Sequence, residues 1–474
     1  MGAMEANKLD GVIQTITPLI EGKLQDSLGD TTIDVVNPSN GRLLTAIPTG
    51  AAEDVAHAVC SSRTAFDDGR WHKLPPSQRK IILHRFADLI EANADKLNLL
   101  DAIEMGKPIS LAAFTASAAA GLMRFYAEAI DKVSGDVLSS DCGSSVTSTL
   151  VPRGVVAAIT PWNFPTFNAI LKVAPALAAG NCVILKPSEL SSQSAFMLAK
   201  LALEAGLPEG VFNYVPGSGI TVGQSLALHH GVDMLTFTGS TKVGQLMLQY
   251  AGQSNMKPVV AECGGKSPII IFNDGVDLDA AAAHAAGMLL TNQGQVCSIG
   301  TRLLVQEGIE EVVVEKIIQH FEKIKPGDAT DPAANYGPLV SKPQLAKVVS
   351  YIESAQEQGA DLIYGGTEIL KKTGGNFIEP TIFVNVQPNI RIAQEEIFGP
   401  VLSVISFKTV EEAVSIANST QYGLAAYVWT VNLQTSRILS NGLNAGMTMI
   451  NTNKSIGEGP GHAFTCEPYA FSGL

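Results

Sequence analysis

Val155-Val156-Ala157-Ala158-Ile159-Thr160-Pro161-Trp162-Asn163-Phe164-Pro165 decides how the rest of the chain is read. An apolar run stops at Thr160 and runs into a turn bracketed by two prolines. An apolar helical stretch follows. A second apolar run, Cys182–Lys186, then ends in Pro187-Ser188-Glu189. Val211–Val215 and Met234–Thr238 repeat the rhythm, with helical segments of about 10–18 residues between the runs. Alternation of this kind gives a parallel sheet with helices on both faces. Such sheets bind ligands at the carboxyl ends of their strands. The polar residues that follow each strand are therefore the ones to read for function.

Outward from that block, residues 17–50 read as short strands and turns, with Asn37-Pro38-Ser39-Asn40-Gly41 as a turn. Apolar residues at three- and four-residue spacing predict helices over Ala52–Phe66, Ser77–Asn93 and Ala94–Glu104. Residues 134–153 suggest a hairpin, polar on both faces, that pairs outside the main core. A solvated excursion and an oligomer contact explain that hairpin equally well. A second α/β block runs from Ser267 to about Gly446. It has strands near Ile269–Phe272, Arg302–Val305 and Val401–Phe407, and helices at Ala280–Leu290 and Glu310–Ile324.

The 474 residues exceed one simple core, so two or three domains are expected. The 32 basic and 45 acidic residues leave a net charge of −13, which argues against nucleic acid and anionic membrane as partners. The apolar runs are broken by Gly, Asn or Pro before spanning length, and no signal peptide is visible. Cys60, Cys142, Cys182, Cys263, Cys297 and Cys466 form no CxxC pair. Neither a metal site nor a disulfide framework is expected, and a reducing, cytoplasmic setting fits. Met1-Gly2-Ala3-Met4 reads as an expression remnant and is set aside.

Seven motifs carry the candidate chemistry, and each alone has a bland alternative. Asn163 is a helix cap or a donor to a developing oxyanion. Lys186 and Glu189, three apart, grip a ribose or place an acid at a helix start. Gly217-Ser218-Gly219-Ile220-Thr221-Val222-Gly223 is a dinucleotide fingerprint with one residue too many, or a plain turn. Phe237-Thr238-Gly239-Ser240 holds a pyrophosphate at a helix start, or Ser240 is a simple cap. Glu262, leading into Gly264-Gly265-Lys266 free of regular pairing, is a general base or a solvated loop acid. Glu396 and Phe398, in Glu395-Glu396-Ile397-Phe398-Gly399-Pro400, touch a cofactor or form a turn and a core anchor. Cys297, in Gly294-Gln295-Val296-Cys297, sits among glycines and amides like a reactive thiol, against the general tendency of Cys to be packing.

Taken together, in this order and spacing, these motifs other than the 217–223 loop resemble those of the NAD(P)-dependent aldehyde dehydrogenase superfamily, over about Asn37 to Asn451. The resemblance implies an α/β architecture: an atypical Rossmann coenzyme-binding domain, an α/β catalytic domain and a small β oligomerisation element. It places the coenzyme domain at 1–130 and 153–264, the hairpin at 131–152, the catalytic domain at 265–446 and a return segment at 447–474. It implies Cys297 as nucleophile, Asn163 as oxyanion donor, Glu262 as the base for hydrolysis, and Lys172 as a lysine near the asparagine. Cofactor contacts fall on Thr160, Trp162, Lys186, Ser188, Glu189, Gly219, Gly223, Phe237, Gly239, Ser240, Glu396 and Phe398. The cofactor is NAD, with NADP as the alternative; the Glu189 carboxylate would repel a 2′-phosphate. The substrate is a small aldehyde, with Phe164, Asn168 and Leu171 beside its path, and the assembly a homodimer or homotetramer.

The pattern departs from the family at the C-terminus. Thr465-Cys466-Glu467-Pro468-Tyr469-Ala470-Phe471 stands where the family carries a Pro-Phe-Gly-Gly type segment before the match to Ser472-Gly473, with Phe464 as an out-of-register aromatic. Relatives continue beyond the position of Leu474 with a helix and a final strand. A catalytically impaired structural or binding relative is the alternative reading this raises.

Overall fold

The computed structural model describes residues 12–112, 115–141 and 143–452. Two short antiparallel strands open it, β1 (Leu19–Ile20) and β2 (Lys23–Leu24), followed by a separate antiparallel pair, β3 (Thr32–Val36) and β4 (Leu43–Pro48). The turn between β3 and β4 forms as read. Asn37 Oδ1 accepts from the Ser39 N–H at 2.8 Å, and Gly41 takes φ +71°, a left-handed geometry that glycine adopts without strain. Helices then span Ala52–Asp67, Pro76–Ala92, Ala94–Met105 and Thr115–Ala129. A hairpin of β5 (Asp136–Leu138) and β6 (Val146–Ser148) pairs outside the main sheets.

Five parallel strands come next: β7 (Val155–Ile159), β8 (Cys182–Lys186), β9 (Phe212–Tyr214), β10 (Met234–Thr238) and β11 (Val259–Glu262). Their order is β11-β10-β7-β8-β9, with β1 and β2 added antiparallel beyond β9. The winding reverses at β7, so a crevice opens between the carboxyl ends of β7 and β10. Alternate residues of β7 serve opposite layers. Val156 and Ala158 join the core with the helices at 76–105, while Val155, Ala157 and Ile159 pack with Val55 and Leu226. Burial on both faces is the reason these strands read as unbroken apolar runs.

The second sheet contains β12 (Ser267–Ile271), β13 (Gly300–Gln306), β14 (Asp361–Tyr364), β15 (Thr381–Val384), β16 (Val401–Phe407), β17 (Ala425–Trp429) and β18 (Met447–Ile450). Their order is β14-β15-β16-β13-β12-β17-β18, with β14 alone antiparallel. Only Cys263 to Lys266 separate β11 from β12. The carboxyl ends of the first sheet therefore meet the amino ends of β12 and β13. The contact is tight: a Cβ added to Gly265 would lie 2.2 Å from Cys297 O, so only glycine fits there.

Three sequence expectations change. An 18-residue window within residues 109–132 reaches a mean hydropathy of 1.2, long and apolar enough by composition to cross a membrane. Ala116, Ala119, Ala120, Met123, Tyr126 and Ala127 of that stretch are buried in the core, so its apolar character is packing. The hairpin is not polar on both faces, because Val137, Leu138 and Val146 are exposed on it. Glu262 is not free of regular pairing. It is the last residue of β11, in register with Thr238, and its carbonyl accepts from the Gly239 N–H at 3.0 Å. Cys142, Cys466, Phe464 and the divergent 465–473 segment lie outside the described residues.

Arg302 joins the second sheet to its covering helix. Its guanidinium is buried and donates to three carbonyls: Lys266 O (2.8 Å), Ile416 O (2.9 Å) and Ala417 O (2.7 Å). The last two end the helix Val410–Ala417, where a cation offsets the dipole. Arg302→Met would leave those acceptors unpaired. A loss of about 3 kcal/mol in urea denaturation is expected; a loss below about 1 kcal/mol would show that the carbonyls find water instead.

Candidate active site

The Cys297 loop is shaped by backbone strain and held by buried amides. Asn292, Gln293 and Gly294 take φ of 48°, 53° and 73° in succession. Left-handed geometry is unfavourable for the first two, and persists only where surroundings over-determine it. Asn292 Nδ2 donates to Asn163 O (3.1 Å), and Gln295 Nε2 donates to Asn292 O (3.0 Å). Gln295 Oε1 accepts from the Val340 N–H at 3.0 Å. Asn292 and Gln295 are thus structural members that the sequence did not single out. Behind the loop, Tyr427 OH on β17 donates to Ser298 O (3.1 Å).

Asn163 follows β7 and reaches this loop. Its Nδ2 donates to Gln295 O at 3.0 Å, two residues before Cys297. It is not the helix cap: Phe164 occupies that position, without a side-chain cap of its own. The second Nδ2 proton remains for another acceptor. Asn168, one turn on, donates to Asn163 Oδ1 at the long distance of 3.5 Å, and both Asn168 and Leu171 are buried. On the same helix, Lys172 is buried and donates to Thr236 Oγ1 (3.2 Å) on β10.

The charges of the site act on one another. Burial raises Glu262 to about 6, against the pull of the Lys172 ammonium. Burial lowers Lys172 to about 8, with the Glu262 charge opposing. Cys297 is half-buried, yet desolvation, then Glu396, then Glu262 push its thiol up to about 12. Its own N–H and that of Ser298 pull the other way. The loop is therefore not the cation-rich setting expected of a free thiolate.

Glu396 comes from the second sheet's side. Its Oε1 accepts from the Gly265 N–H at 3.1 Å, and a Cβ on Gly264 would collide with its carboxyl at 2.3 Å. Phe398 sits at φ 59°, its carbonyl held by Gln344 Nε2 at 2.7 Å. Its ring meets Trp162 edge to face, with centroids 5.3 Å apart. Residues from the β7 turn and the 395–400 loop thus close one wall.

The segments that follow β8, β9 and β10 carry the other candidates. Lys186 Nζ is buried, donates to Pro187 O (2.6 Å) and lies 3.5 Å from the Glu189 carboxylate. Glu189 precedes the helix at Gln193 by four residues, so it does not act as a first-turn acid. Ser188 Oγ accepts from the Leu190 N–H at 3.3 Å. Gly219–Gly223 forms a π-helical turn in which Ser218 Oγ accepts from the Thr221 N–H at 3.0 Å, and the Gly223 N–H bonds Ser218 O five residues back. That wider turn absorbs the extra residue of the fingerprint. Ser240 caps the helix Thr241–Gln253, with Oγ accepting from the Val243 N–H at 3.4 Å. Phe237 is a core residue, and its ring blocks any side chain at Gly239. Thr160, Thr238 and Thr241 each bury a hydroxyl oxygen without a partner in the structure. Unsatisfied hydroxyls beside a helix amino end suit a phosphate-bearing ligand.

Residues 25–465 match the model of the aldehyde dehydrogenase family. The chain belongs to the aldehyde dehydrogenase family. It is 42% identical over 457 residues to aldehyde dehydrogenase family 2 member C4 of Arabidopsis thaliana, covering 94% of this chain and 91% of that protein. It is 43% identical to the NADP/NAD-dependent aldehyde dehydrogenase PuuC of Escherichia coli, covering 91% and 87%. Among solved structures, the P. syringae AldA indole-3-acetaldehyde dehydrogenase, a mutant in complex with NAD+ and IAA, superposes at TM-score 0.92. That pair shares 46% identity, over 95% of this chain and 91% of the other. The gamma-glutamyl-gamma-aminobutyraldehyde dehydrogenase of Burkholderia cenocepacia J2315 gives TM-score 0.93 at 45% identity, covering 96% and 92%. The expected family and α/β fold are thereby established for this aldehyde dehydrogenase.

Proposed function

We propose that this aldehyde dehydrogenase oxidises a small aldehyde to the free carboxylic acid with NAD, NADP being the alternative cofactor. The observation that carries the reading is that Asn163 bonds the Cys297 loop at Gln295 O while the Glu262 charge acts on the Cys297 thiol. The residues fit a dinucleotide: the partnerless Thr160, Thr238 and Thr241 hydroxyls stand at the carboxyl ends of β7 and β10, and Lys186 and Glu189 stand ready for a ribose. Glu396 and Phe398 would border its nicotinamide end. When bound, the nicotinamide supplies a positive charge that offsets the carboxylates around Cys297, and accepts the hydride.

Cys297 Sγ passes its proton to solvent water and bonds to the aldehyde carbon, whose carbonyl π pair moves onto oxygen. The resulting thiohemiacetal oxygen is held by the Asn163 amide and the Cys297 backbone N–H, each such donor being worth roughly 3 kcal/mol of barrier. Loss of hydride from carbon leaves a Cys297 thioester. Glu262 takes a proton from water, the water oxygen bonds to the acyl carbon, and the carbon–sulfur bond breaks. Carboxylate leaves and the thiol is restored. Lys172 steadies the Glu262 charge.

The β5–β6 hairpin, with Val137 80% exposed, supports a homo-oligomer. The test is NAD(P)H production from a panel of aliphatic, aromatic and amino aldehydes with each cofactor. Turnover with at least one aldehyde is expected. Tight NAD binding without reduction by any aldehyde would favour the impaired, binding-only reading.

A further inference from the structure

The helix Ala94–Met105 carries charged groups that the mechanism does not use. Asp101 and Glu104 stand three apart on one face, and Lys107 follows the helix end; all three are at most 2% exposed. Asp101 Oδ1 accepts from Thr166 Oγ1 (3.0 Å) and Oδ2 from the Thr166 N–H (3.4 Å). Thr166 is in the first turn of the helix Pro165–Ala178, whose cap residue Phe164 offers no side-chain acceptor. Asp101 thus does from a neighbouring helix what a cap residue normally does locally. Glu104 accepts from the Ser192 and Gln193 N–H groups at 3.1 and 3.0 Å. The adjacent Ser191 Oγ donates to Trp162 O at 3.4 Å. Lys107 Nζ lies 4.8 Å from the centroid of the Phe164 ring and donates to Thr115 Oγ1 at 2.6 Å.

These contacts converge on five residues, Trp162 to Thr166, with Asn163 inside them. We infer that Asp101, supported by Glu104 and Lys107, is a positioning residue that fixes where the Asn163 amide points. The inference rests on Asn163 being the oxyanion donor. Burying a carboxylate costs several kcal/mol unless it is well bonded, and an apolar side chain with a local Ser or Thr cap would close the same helix start. A charge at this place is accounted for by the rigidity it gives to a catalytic turn. Burial raises Asp101 and the Lys107 charge lowers it, so the two charges depend on each other. A displacement near 1 Å of a catalytic group is enough to cost about 100-fold in rate.

The test is a double-mutant cycle in the full-length enzyme, with propanal as the probe aldehyde and saturating NAD. Asp101→Asn is expected to lower kcat and kcat/KM for propanal together, by about 10-fold, with KM for NAD unchanged. In an Asn163→Ala background the same substitution is expected to cost less than about 2-fold, because the amide it positions is gone. Thr166→Val, which removes only one hydroxyl, should give a smaller loss with the same dependence, and carries the cycle if Asp101→Asn does not fold. Equal losses in both backgrounds, or a folded Asp101→Asn enzyme with full activity, overturn the assignment. Full activity of Asn163→Ala alone would instead sink the oxyanion reading, and with it the reason for the clamp.

Discussion

Cys297→Ala should abolish NADH formation, by about 10⁴-fold or more, while NAD binding persists. The magnitude follows from the role: no other group in the loop can form the thioester, and loss of a nucleophile removes a whole covalent pathway. Alanine is also tolerated sterically. Sγ takes part in none of the bonds that hold the loop, which run through Asn292, Gln295 and Tyr427. The variant should therefore melt within about 2 °C of the parent, as expected for a loss of well under 1 kcal/mol. A steady-state assay by absorbance of NADH, paired with a dinucleotide titration, separates the two outcomes. Turnover within about 10-fold of the parent would remove Cys297 from the mechanism.

Glu262→Gln should stall the second half of the reaction. The amide keeps the shape of the carboxylate but cannot take a proton from water, which is worth about 10²–10⁴-fold. Rapid mixing should then show a burst near one NADH per subunit followed by slow turnover. An enzyme that shows no burst and normal turnover would mean another base serves. The pH profile adds a second check on the unmodified enzyme. Burial raises Glu262 to about 6, so the base is ionised above that value and protonated below it. Where hydrolysis limits kcat, the rate should rise with pH through about 6 and then level off. Glu262→Gln should lose that limb. A limb centred near 4.5 instead would mean the carboxylate is solvated during turnover.

Much of the coenzyme sheet could be read from the chain, because β7, β8 and β10 are buried on both faces. Their apolar runs begin and end within a residue of the observed strands. Helix spacing worked for the same reason over Ala52–Asp67 and Pro76–Ala92, each with one stripe in the core. The second sheet was less legible. β14 is a short edge strand whose residues alternate between exposed and half-buried, and β18 is half-buried throughout. Neither carries an apolar run long enough to stand out. Helix Lys342–Glu357 was legible but passed over: Val348, Tyr351, Ile352 and Ala355 stand at the i, i+3, i+4, i+7 spacing of one buried face.

The candidate site divides along a similar line. Motif order alone brought Asn163, Glu262 and Cys297 to notice, because strand ends and glycine turns leave marks in a sequence. Asp101, Glu104 and Lys107 left none, since a charged residue in a helix reads by default as solvated. Their burial depends on what the Ala94–Met105 helix packs against, and that partner lies more than sixty residues away at Thr166 and Ser192. The thiol's chemistry was hidden for the same reason. Glu396 is distant from Cys297 in the chain, and only packing brings its charge to bear.

The sequence by itself determined the family, the parallel strands of the coenzyme sheet and the candidates for the reacting groups, because those depend on local pattern and on order. Tertiary structure decided which carboxylate acts on which group, what holds Asn163, and the direction in which the Cys297 thiol is pushed. Those properties arise from burial and from charges a few ångströms apart in space, and neither is encoded by neighbours along the chain.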